Sequence, residues 1–596
     1  MTVAGAGQLA RDDGRNRTAT VVAAVRGTGS LRLRAAQLAL VLVALAAWSA
    51  SLAHVDLTRI RDMGLITVLS PVTILALALL AAGVVWGALT DAPDWLLTGN
   101  LVAFAIGSHA LGSILESQPA LSVTWLHVGF ADYVATTGRV DPGLDARFSW
   151  PGFFDLAAFL QLAAGVDLRR LAVPSHGFFA VLDLLPLAAI VRSLTRDRTV
   201  LWLSLLFFTL ANWIGQEYLS PQALAYFFYL TILAMALTWF RRPAGRPGTA
   251  GSAPGTRTTP VQRGVLVGVG CLLVVATVVS HQLTPFMLVA TLGALWIVRR
   301  LTSLTWVLVT GAMITGWLSY AAWPFVSGHL SELLATLGGL GSNLTSTVAN
   351  RVSGSPDHQL VVALRLAYTG VLLAFAGAWF LRRWRLGHRE LLLAAVGAAP
   401  WPLIALNPYG GEMALRAFMF ALPAVAFMCA AAAAAVVRAI PNWARVIAVL
   451  AAACALTAAF ILSRYGNERL DIMRPDEVRA VQAMYAAAPL GSVLFAPTGN
   501  LPWRYKDVTS YDYQSDLAIT GGRADLGSLL TILTRGSHPA AFVILTRSEA
   551  AFEELLNGVT APTWAAFEST IRGSGLFDVV YSGPDASVYR LRSRTT

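Results

Sequence analysis

Charged residues in general, and lysine in particular, are scarce in this 596-residue chain. Asp, Glu, Lys and Arg make up 13% of the sequence, whereas hydrophobic residues make up 56%, and the mean hydropathy is +0.61. Lys506 is the one lysine in the sequence. A composition this apolar excludes a soluble multidomain protein and predicts a polytopic membrane protein.

The chain also has few cysteines and none of the common catalytic signatures. Cys271, Cys429 and Cys454 lie in apolar runs and no CxxC pair occurs, which excludes a disulfide framework and a zinc site. The chain has no GxSxG, HExxH, Walker A or strand-borne GxGxxG motif, so the serine hydrolase, zincin and nucleotide-driven classes are excluded. The formal charge of +11 comes from arginines in short loops, which the positive-inside rule explains without a nucleic-acid partner.

Long apolar runs are what the sequence does contain, and they predict about thirteen transmembrane helices. Alternate loops are rich in arginine, which predicts a cytoplasmic N-terminus and an external C-terminus. The expected fold is therefore an all-α polytopic bundle. The spans are expected at 35–53, 65–89, 97–115, 177–194, 200–215, 221–240, 264–280, 285–299, 304–322, 359–381, 391–407, 416–437 and 446–463.

Composition divides the chain into three parts. Residues 1–34 form a polar cytoplasmic tail, and residues 35–463 form the transmembrane domain, with a long external loop at 116–176 and a Gly- and Pro-rich cytoplasmic linker at 241–264. Residues 464–596 regain charge and predict a small extracytoplasmic α/β domain. Its expected helices are Pro475–Ala488, Ser548–Leu556 and Pro562–Ile571, and its expected strands are Ser492–Ala496, Ala541–Leu545, Phe577–Tyr581 and Ser587–Leu591.

The long external loop carries a polar and aromatic segment, from Trp125 to Phe154, between apolar runs. His127 and Asp132 lie on a predicted helix that ends at Gly138, and Asp145, Arg147 and Trp150 follow in a loop. An arginine binds phosphate oxygens, a tryptophan stacks on a sugar ring and a carboxylate accepts a hydroxyl proton. The segment alone is equally compatible with a solvated loop that contains an Asp145–Arg147 ion pair.

Other polar residues gather at the same predicted side of the membrane. They are Asp56 after the first span, Glu217 between two glutamines, His281 with Gln282, and Glu412 with Arg416. Each has a local alternative, such as a helix cap, an interfacial histidine or an i,i+4 ion pair. Together they predict one polar site, because charged groups beside a membrane are costly and these cluster on one side. His109, Asp183 and Arg365, within spans, either line the same cavity or neutralise one another.

The layout resembles the GT-C superfamily of polytopic membrane glycosyltransferases, which includes oligosaccharyltransferases, protein O-mannosyltransferases and aminoarabinose transferases. WLHVGFADYVATTGRV followed by RFSWPGFF is similar to the family's first long external loop, and NPYGGEMALR is similar to a late loop in which an acid and an arginine face the donor. The abundance of Ala, Gly and Arg indicates high-GC coding and an actinobacterial source.

The resemblance implies a set of roles. His127 stands roughly where the family has a catalytic Asp and is itself a catalytic candidate. Either Asp132 or an acid elsewhere, such as Asp56 or Glu116, serves as the base, or the loop is shifted relative to the family because two extra spans precede it. Glu217 is a further candidate for the base. Arg147 or Arg416, with a divalent cation such as Mg or Mn as an option, would stabilise the departing phosphate. The substrate-binding candidates are Asp145, Arg147, Trp150, His281, Gln282, Glu412 and Arg416.

The resemblance also implies a function. The chain would transfer a sugar from a polyprenyl-phosphate donor to an envelope polysaccharide, glycolipid or protein at the outer face of the plasma membrane. Two other classes stay open. A transporter or flippase would spread polar residues through the membrane depth, and a noncatalytic assembly protein would depend on its C-terminal domain alone. An O-antigen-type polymerase or ligase is a variant of the first class.

Overall fold

The computed structural model describes residues 31–242, 258–336, 354–405, 412–515, 517, 519 and 526–592. Most of the predicted cytoplasmic tail, most of the 241–264 linker and the Asn407–Gly411 part of the NPYGGE segment lie outside the described residues. The same is true of residues 337–353, in the loop expected between the spans at 304–322 and 359–381.

Eight of the described helices are long and apolar enough to cross a membrane, and the chain is a multi-pass membrane protein. The predicted total of thirteen spans and their orientation stay predictions. These eight helices are α1 (Leu31–Leu52), α2 (Pro71–Leu89), the Ser175–Leu194 helix, α11 (Pro221–Trp239), α12 (Pro260–Ser280), α16 (Pro356–Arg385), α18 (Met413–Ala439) and α19 (Asn442–Tyr465).

Several predicted spans are shorter or broken in the structure. The run at 97–115 is two helices that meet at Ala110, and the run at 177–194 starts at Ser175 and is interrupted at Asp183. The run at 391–407 is a short helix followed by a 3-10 turn at Trp401–Ala405. The two parts of the Ser175–Leu194 helix are α8 (Ser175–Leu182) and α9 (Leu184–Leu194). The remaining α-helices of the membrane part are α3 (Asp94–His109), α4 (Leu111–Leu115), α5 (Ser122–Thr137), α6 (Gly152–Ala164), α7 (Leu168–Ala172), α10 (Arg198–Ala211), α13 (Thr284–Ile297), α14 (Thr305–Ser319), α15 (Trp323–Thr336) and α17 (Leu391–Ala398).

The C-terminal part folds around a mixed five-stranded sheet in the order β2-β1-β3-β5-β4. Strand β1 is parallel to β2 and β3, while β5 is antiparallel to β3 and β4. The structure has every helix and strand expected here and adds α20, β2 and α22. The elements are α20 (Glu468–Asp471), α21 (Pro475–Ala487), β1 (Val493–Phe495), β2 (Asp512–Gln514), α22 (Leu526–Leu533), β3 (Ala541–Thr546), α23 (Arg547–Leu556), α24 (Ala561–Gly573), β4 (Phe577–Ser582) and β5 (Ala586–Leu591).

One face of this sheet packs against the 116–176 loop of the membrane part, which the sequence predicts to be external. Successive side chains of a strand point to opposite faces, so Phe542 and Val543 on β3 enter two different cores. The core that contains Phe542 also contains Trp125 and Val128 of α5. The C-terminal domain therefore forms part of the surroundings of the segment that the sequence singles out.

Gly129 makes this contact possible. It lies on the face of α5 that meets the C-terminal domain, and a Cβ atom there would stand 1.7 Å from the backbone oxygen of Arg504. Val508, four residues further along, packs with Phe130 and Phe154 of the external loop. The two parts of the chain are thus in backbone contact beside the predicted site.

Candidate functional site

A cavity of about 1100 Å³ opens where the long external loop meets the ends of several apolar helices. Its walls are mostly apolar, with polar groups contributed by four separate stretches of chain. The polar and aromatic lining residues are His127, Asp145, Arg147, Trp150, Phe154, Gln216, Tyr218, Ser220, Gln222, Ser280, His281, Gln282, Phe286, Phe325, Glu412 and Arg416. Eight of the eleven residues predicted for the site are in this set, and Asp132, Glu217 and Asp56 are not.

The first cationic group of the cavity is Arg147. Asp145 caps the short 3-10 helix at Ala146–Ser149, where its Oδ1 accepts a hydrogen bond from the Arg147 backbone nitrogen at 2.9 Å. Arg147 Nη1 in turn lies 3.2 Å from Asp145 Oδ2. The guanidinium also stands 5.8 Å from the centre of the Phe130 ring. A carboxylate and a ring thus fix the direction of this arginine.

The second cationic group, Arg416, lies in the first turns of α18. Its guanidinium is ion-paired with Glu412, four residues earlier, and the residue is only 7% exposed. The Glu412 side chain is 37% exposed, so the carboxylate lies nearer to solvent than the arginine does. The predicted i,i+4 pair is therefore present, and it places a buried positive charge in the cavity wall.

Trp150 brings an aromatic surface to the same cavity. It follows the 3-10 helix that carries Arg147 and packs edge-on against Phe325 of α15, with ring centres 5.1 Å apart. Phe148 and Phe154 on either side of it are fully buried in the external loop. The loop can hold Trp150 in place because these neighbours anchor it.

His281 belongs to a hydrogen-bonded chain between two helix starts. Its Nδ1 accepts hydrogen bonds from the backbone nitrogens of Leu283 at 3.3 Å and Thr284 at 3.2 Å. The Thr284 hydroxyl lies 3.0 Å from the same Nδ1 and receives a hydrogen bond from Gln222 Nε2 at 3.3 Å. Burial, followed by the charge of Arg416, lowers the pKa of His281 to about 3, so the ring is neutral at pH 7.

His127 has the opposite hydrogen-bonding arrangement. Its Nδ1 donates to the backbone carbonyl of Leu219 at 3.2 Å, and its ring is nearly parallel to that of Tyr218. Burial, followed by the charge of Arg147, lowers the pKa of His127 to about 3. A neutral ring that carries its proton on Nδ1 has a lone pair on Nε2.

Glu217 lies outside the cavity, in a buried polar cluster. Its carboxylate is 3.1 Å from Arg464 Nη1 and 3.3 Å from His109 Nδ1, and it accepts a hydrogen bond from Asn212. Burial alone would raise the pKa of Glu217, but Arg464 and His109 outweigh it and hold the pKa well below its ordinary value. The geometry gives Glu217 a structural ion pair.

Asp132, Asp56 and Glu116 also lie away from the cavity. Asp132 Oδ1 accepts a hydrogen bond from Gln161 Nε2 at 3.2 Å, because the outer face of α5 meets α6. Asp56 caps the 3-10 helix at Leu57–Arg59, and its hydrogen bonds with Thr58 lower its pKa. Burial, with Glu468 nearby, raises the pKa of Glu116 well above its ordinary value.

Two glutamines that the sequence marked only as neighbours of Glu217 line the cavity. Gln222 is 4% exposed, and neither its Oε1 nor that of Gln216 accepts a hydrogen bond from any residue that the structure describes. Both flank Glu217 at the proline-initiated start of α11. The acidic residue drew attention to this stretch, but the glutamines on either side of it are the residues that line the cavity.

The cavity has few ligands suited to a metal. Asp145 and Glu412 are its carboxylates, and each is ion-paired with an arginine. No group of three or more His, Cys, Asp or Glu side chains that could hold a metal ion occurs among the described residues. The described donors therefore do not fit a resident Mg or Mn ion, and the cation stays a prediction.

Comparisons with known proteins find solved structures that are similar to this chain. It is similar to ArnT from Cupriavidus metallidurans bound to undecaprenyl phosphate, with 12% identity, a TM-score of 0.48, and coverage of 84% of this chain and 98% of that one. The apo structure of the same protein is 10% identical to this chain and has a TM-score of 0.47, and the likeness again covers 84% of this chain and 98% of that one. No protein family and no curated protein matches the chain.

A third similar structure is the oligosaccharyltransferase of Archaeoglobus fulgidus tethered with an acceptor peptide that contains the NVT sequon. It is 12% identical, has a TM-score of 0.40, and the likeness covers 83% of this chain and 74% of that one. At identities this low, we infer function from the side chains of the cavity and not from these similarities.

Proposed function

We propose that the chain is a membrane glycosyltransferase that moves a hexosyl or pentosyl group from a polyprenyl-phosphate donor to a cell-envelope acceptor at the outer membrane face. One observation carries this proposal. A single cavity combines two oriented arginines, an aromatic ring and several uncharged polar groups with a mostly apolar wall. That combination suits an amphiphile that has a phosphate, a sugar and a hydrocarbon chain.

The phosphate is assigned to Arg147 and Arg416. Guanidinium groups bind phosphate oxygens through paired, charge-assisted hydrogen bonds. Asp145 and Glu412 hold these two arginines in place before any ligand enters, so little ordering is needed on binding. Apolar residues of the wall, among them Leu318, Val326 and Leu403, are suited to the first isoprene units.

Transfer would proceed by one displacement. The acceptor hydroxyl oxygen attacks the anomeric carbon, and the bond from that carbon to the phosphate oxygen breaks. The electron pair of this bond leaves with the polyprenyl phosphate, whose growing negative charge the two arginines stabilise. The hydroxyl proton passes to a base, and the anomeric configuration inverts.

Asp145 is proposed as the base. It lines the cavity beside Arg147, with which it is ion-paired. Glu412 also lines the cavity and is the alternative base. Its ion-pair partner Arg416 is more deeply buried than Arg147, the partner of Asp145. The sequence candidates Asp132, Glu217 and Asp56 lack access to the same space.

The proposal is tested with the full chain in lipid nanodiscs and radiolabelled undecaprenyl phosphate. We expect Arg416→Gln and Arg147→Gln each to weaken binding by roughly 10- to 100-fold, because each removes a charge-assisted contact. Arg592→Gln, which changes an exposed arginine of the C-terminal domain, is the matched control and should bind as the parent does.

Transfer is then measured with a polyprenyl-phosphate sugar and an envelope extract. Binding that is unchanged in both cavity variants, together with no lipid-dependent transfer, would overturn the proposal. The flippase alternative makes a different prediction, since proteoliposomes would move a labelled polyprenyl-phosphate lipid between leaflets without forming any glycosylated product.

A further inference from the structure

Four polar but uncharged residues of the cavity lining bear on the sugar that the proposed reaction transfers. They are His127, His281, Gln216 and Gln222, which we call the neutral polar group. Ser220 and Ser280 also line the cavity. The charged lining groups are the two ion pairs, Asp145 with Arg147 and Glu412 with Arg416.

The hydrogen bonds behind the two histidines fix what each ring presents. Two backbone N–H groups donate to Nδ1 of His281, so its proton is on Nε2 and that nitrogen is a donor. The Leu219 carbonyl accepts from Nδ1 of His127, so its Nε2 is an acceptor. The cavity therefore holds one neutral imidazole donor and one neutral imidazole acceptor.

The glutamines add acceptors of a defined orientation. Gln222 Nε2 donates to Thr284, whose hydroxyl is within hydrogen-bond distance of His281 Nδ1. That chain directs the Gln222 carbonyl oxygen away from Thr284, and this buried oxygen has no hydrogen-bond donor among the residues that the structure describes. A buried carbonyl without a donor costs free energy, which a ligand hydroxyl would recover.

Both imidazoles stand close to the groups assigned to the phosphate. The charge of Arg147 acts on His127, and the charge of Arg416 acts on His281. A sugar esterified to a phosphate held by these arginines would therefore lie against the histidines and glutamines. Hydroxyl groups, which both donate and accept, match this mixed set.

We propose that the neutral polar group binds the hydroxyl groups of an uncharged sugar, so that the transferred sugar carries neither an amino nor a carboxyl group. The inference rests on the proposed function. An ammonium group would need an unpaired carboxylate, whereas Asp145 and Glu412, the carboxylates of the described lining, are both ion-paired with arginines. A carboxylate on the sugar would face the lone pairs of His127, Gln216 and Gln222.

The test compares binding of matched lipids to the full chain in nanodiscs. The probes are undecaprenyl phosphate alone and its derivatives with glucose, glucosamine and glucuronic acid, together with an arabinose and 4-amino-4-deoxyarabinose pair. We expect at least one neutral sugar lipid to bind about tenfold more tightly than its charged counterparts and than the bare lipid.

Gln222→Glu places a carboxylate among these hydroxyl-binding groups and should shift the ratio of neutral to amino-sugar binding by about tenfold towards the amino sugar. Gln216→Glu makes the same change at a less buried position, in case the first variant does not fold. Gln262→Glu, on the exposed first turn of α12, adds the same charge outside the cavity and should leave the ratio unchanged.

Equal binding of neutral and charged sugars, or a ratio that neither cavity variant moves, would overturn the inference. If undecaprenyl phosphate binds, and its binding requires Arg416, but neutral and charged sugar lipids bind equally, only this inference fails. If no polyprenyl-phosphate lipid binds at all, the proposed function fails and the inference fails with it.

Discussion

The carboxylate of Glu217 and the guanidinium of Arg464 form an ion pair with an Oε2–Nη1 distance of 3.1 Å, and their side chains are only 4% and 3% exposed. The pair joins the connection between α10 and α11 to the end of α19, which are far apart in the chain. Breaking such a pair leaves an uncompensated buried charge, which costs more than removing both partners.

We therefore expect Arg464→Leu to lower the free energy of unfolding by about 3 to 5 kcal/mol. The double variant Glu217→Leu/Arg464→Leu should recover part of this loss. Thermal unfolding of the detergent-solubilised chain, followed by tryptophan fluorescence, measures both. The single variant Glu217→Leu completes the comparison. If the loss of stability in the double variant equals the sum of the losses in the two single variants, the two residues are not coupled.

Gly129 should be intolerant of a side chain. Gly129→Ala places Cβ against the Arg504 carbonyl and is expected to destabilise the chain by about 2 kcal/mol or more and to expose residues 503–508 to protease. Gly99→Ala is the matched control, because Gly99 is exposed on α3 with open space beside it, and it should be neutral or slightly stabilising. Equal effects in the two variants would contradict the close contact.

Glu468 should make stability depend on pH. Burial, followed by Asp471, raises the pKa of Glu468 from 4.5 to about 8. The folded chain then holds this proton between pH 4.5 and 8 while the unfolded chain has released it, so the free energy of unfolding falls as the pH rises through that window.

Glu468→Gln removes this titration. We expect its melting temperature to exceed that of the parent by a margin that grows from pH 5 to pH 8. Asp91→Asn, which alters a carboxylate that is 91% exposed, should follow the parent across the same range. A Glu468→Gln curve parallel to the parent curve would contradict the raised pKa of Glu468.

Transfer activity should depend on the acids that line the cavity. We expect Asp145→Asn to lower kcat by about 100-fold or more, since a positioned base contributes that much, and Asp132→Asn to stay within about twofold of the parent. The assay uses the lipid-linked sugar that the binding experiment selects. A large loss in Asp132→Asn with little change in Asp145→Asn would reverse this assignment.

Local sequence patterns predicted most of the C-terminal domain. Strand β3 is a short apolar run and α21 starts at a proline with two acids in its first turn, and both patterns depend only on neighbouring residues. Strand β2, with only three half-buried residues, has no such pattern. The break at Ala110 was not predicted either, because it lies inside a run that is apolar enough overall to be taken as one span.

The site was predictable as a region but not in its chemistry. The polar segment of the 116–176 loop identified Arg147, and polar residues at span ends identified His281 and Arg416. The structure has all three in the lining of one cavity. Glu217 looked equally available in the sequence, yet its partner Arg464 lies 247 positions later in the chain. Pairings over such distances, like the one between Gln222 and Thr284, depend on tertiary packing that no local pattern records.

The contact between α5 and the C-terminal domain has a consequence for biosynthesis. The helix that carries His127 is synthesised before the strands and the 503–508 segment that pack on it. The cavity wall therefore cannot reach its final packing until the sheet has formed and docked. Nascent chains that lack this sheet would be inserted in the membrane yet still have an incomplete cavity wall, so formation of the cavity depends on synthesis of the sheet.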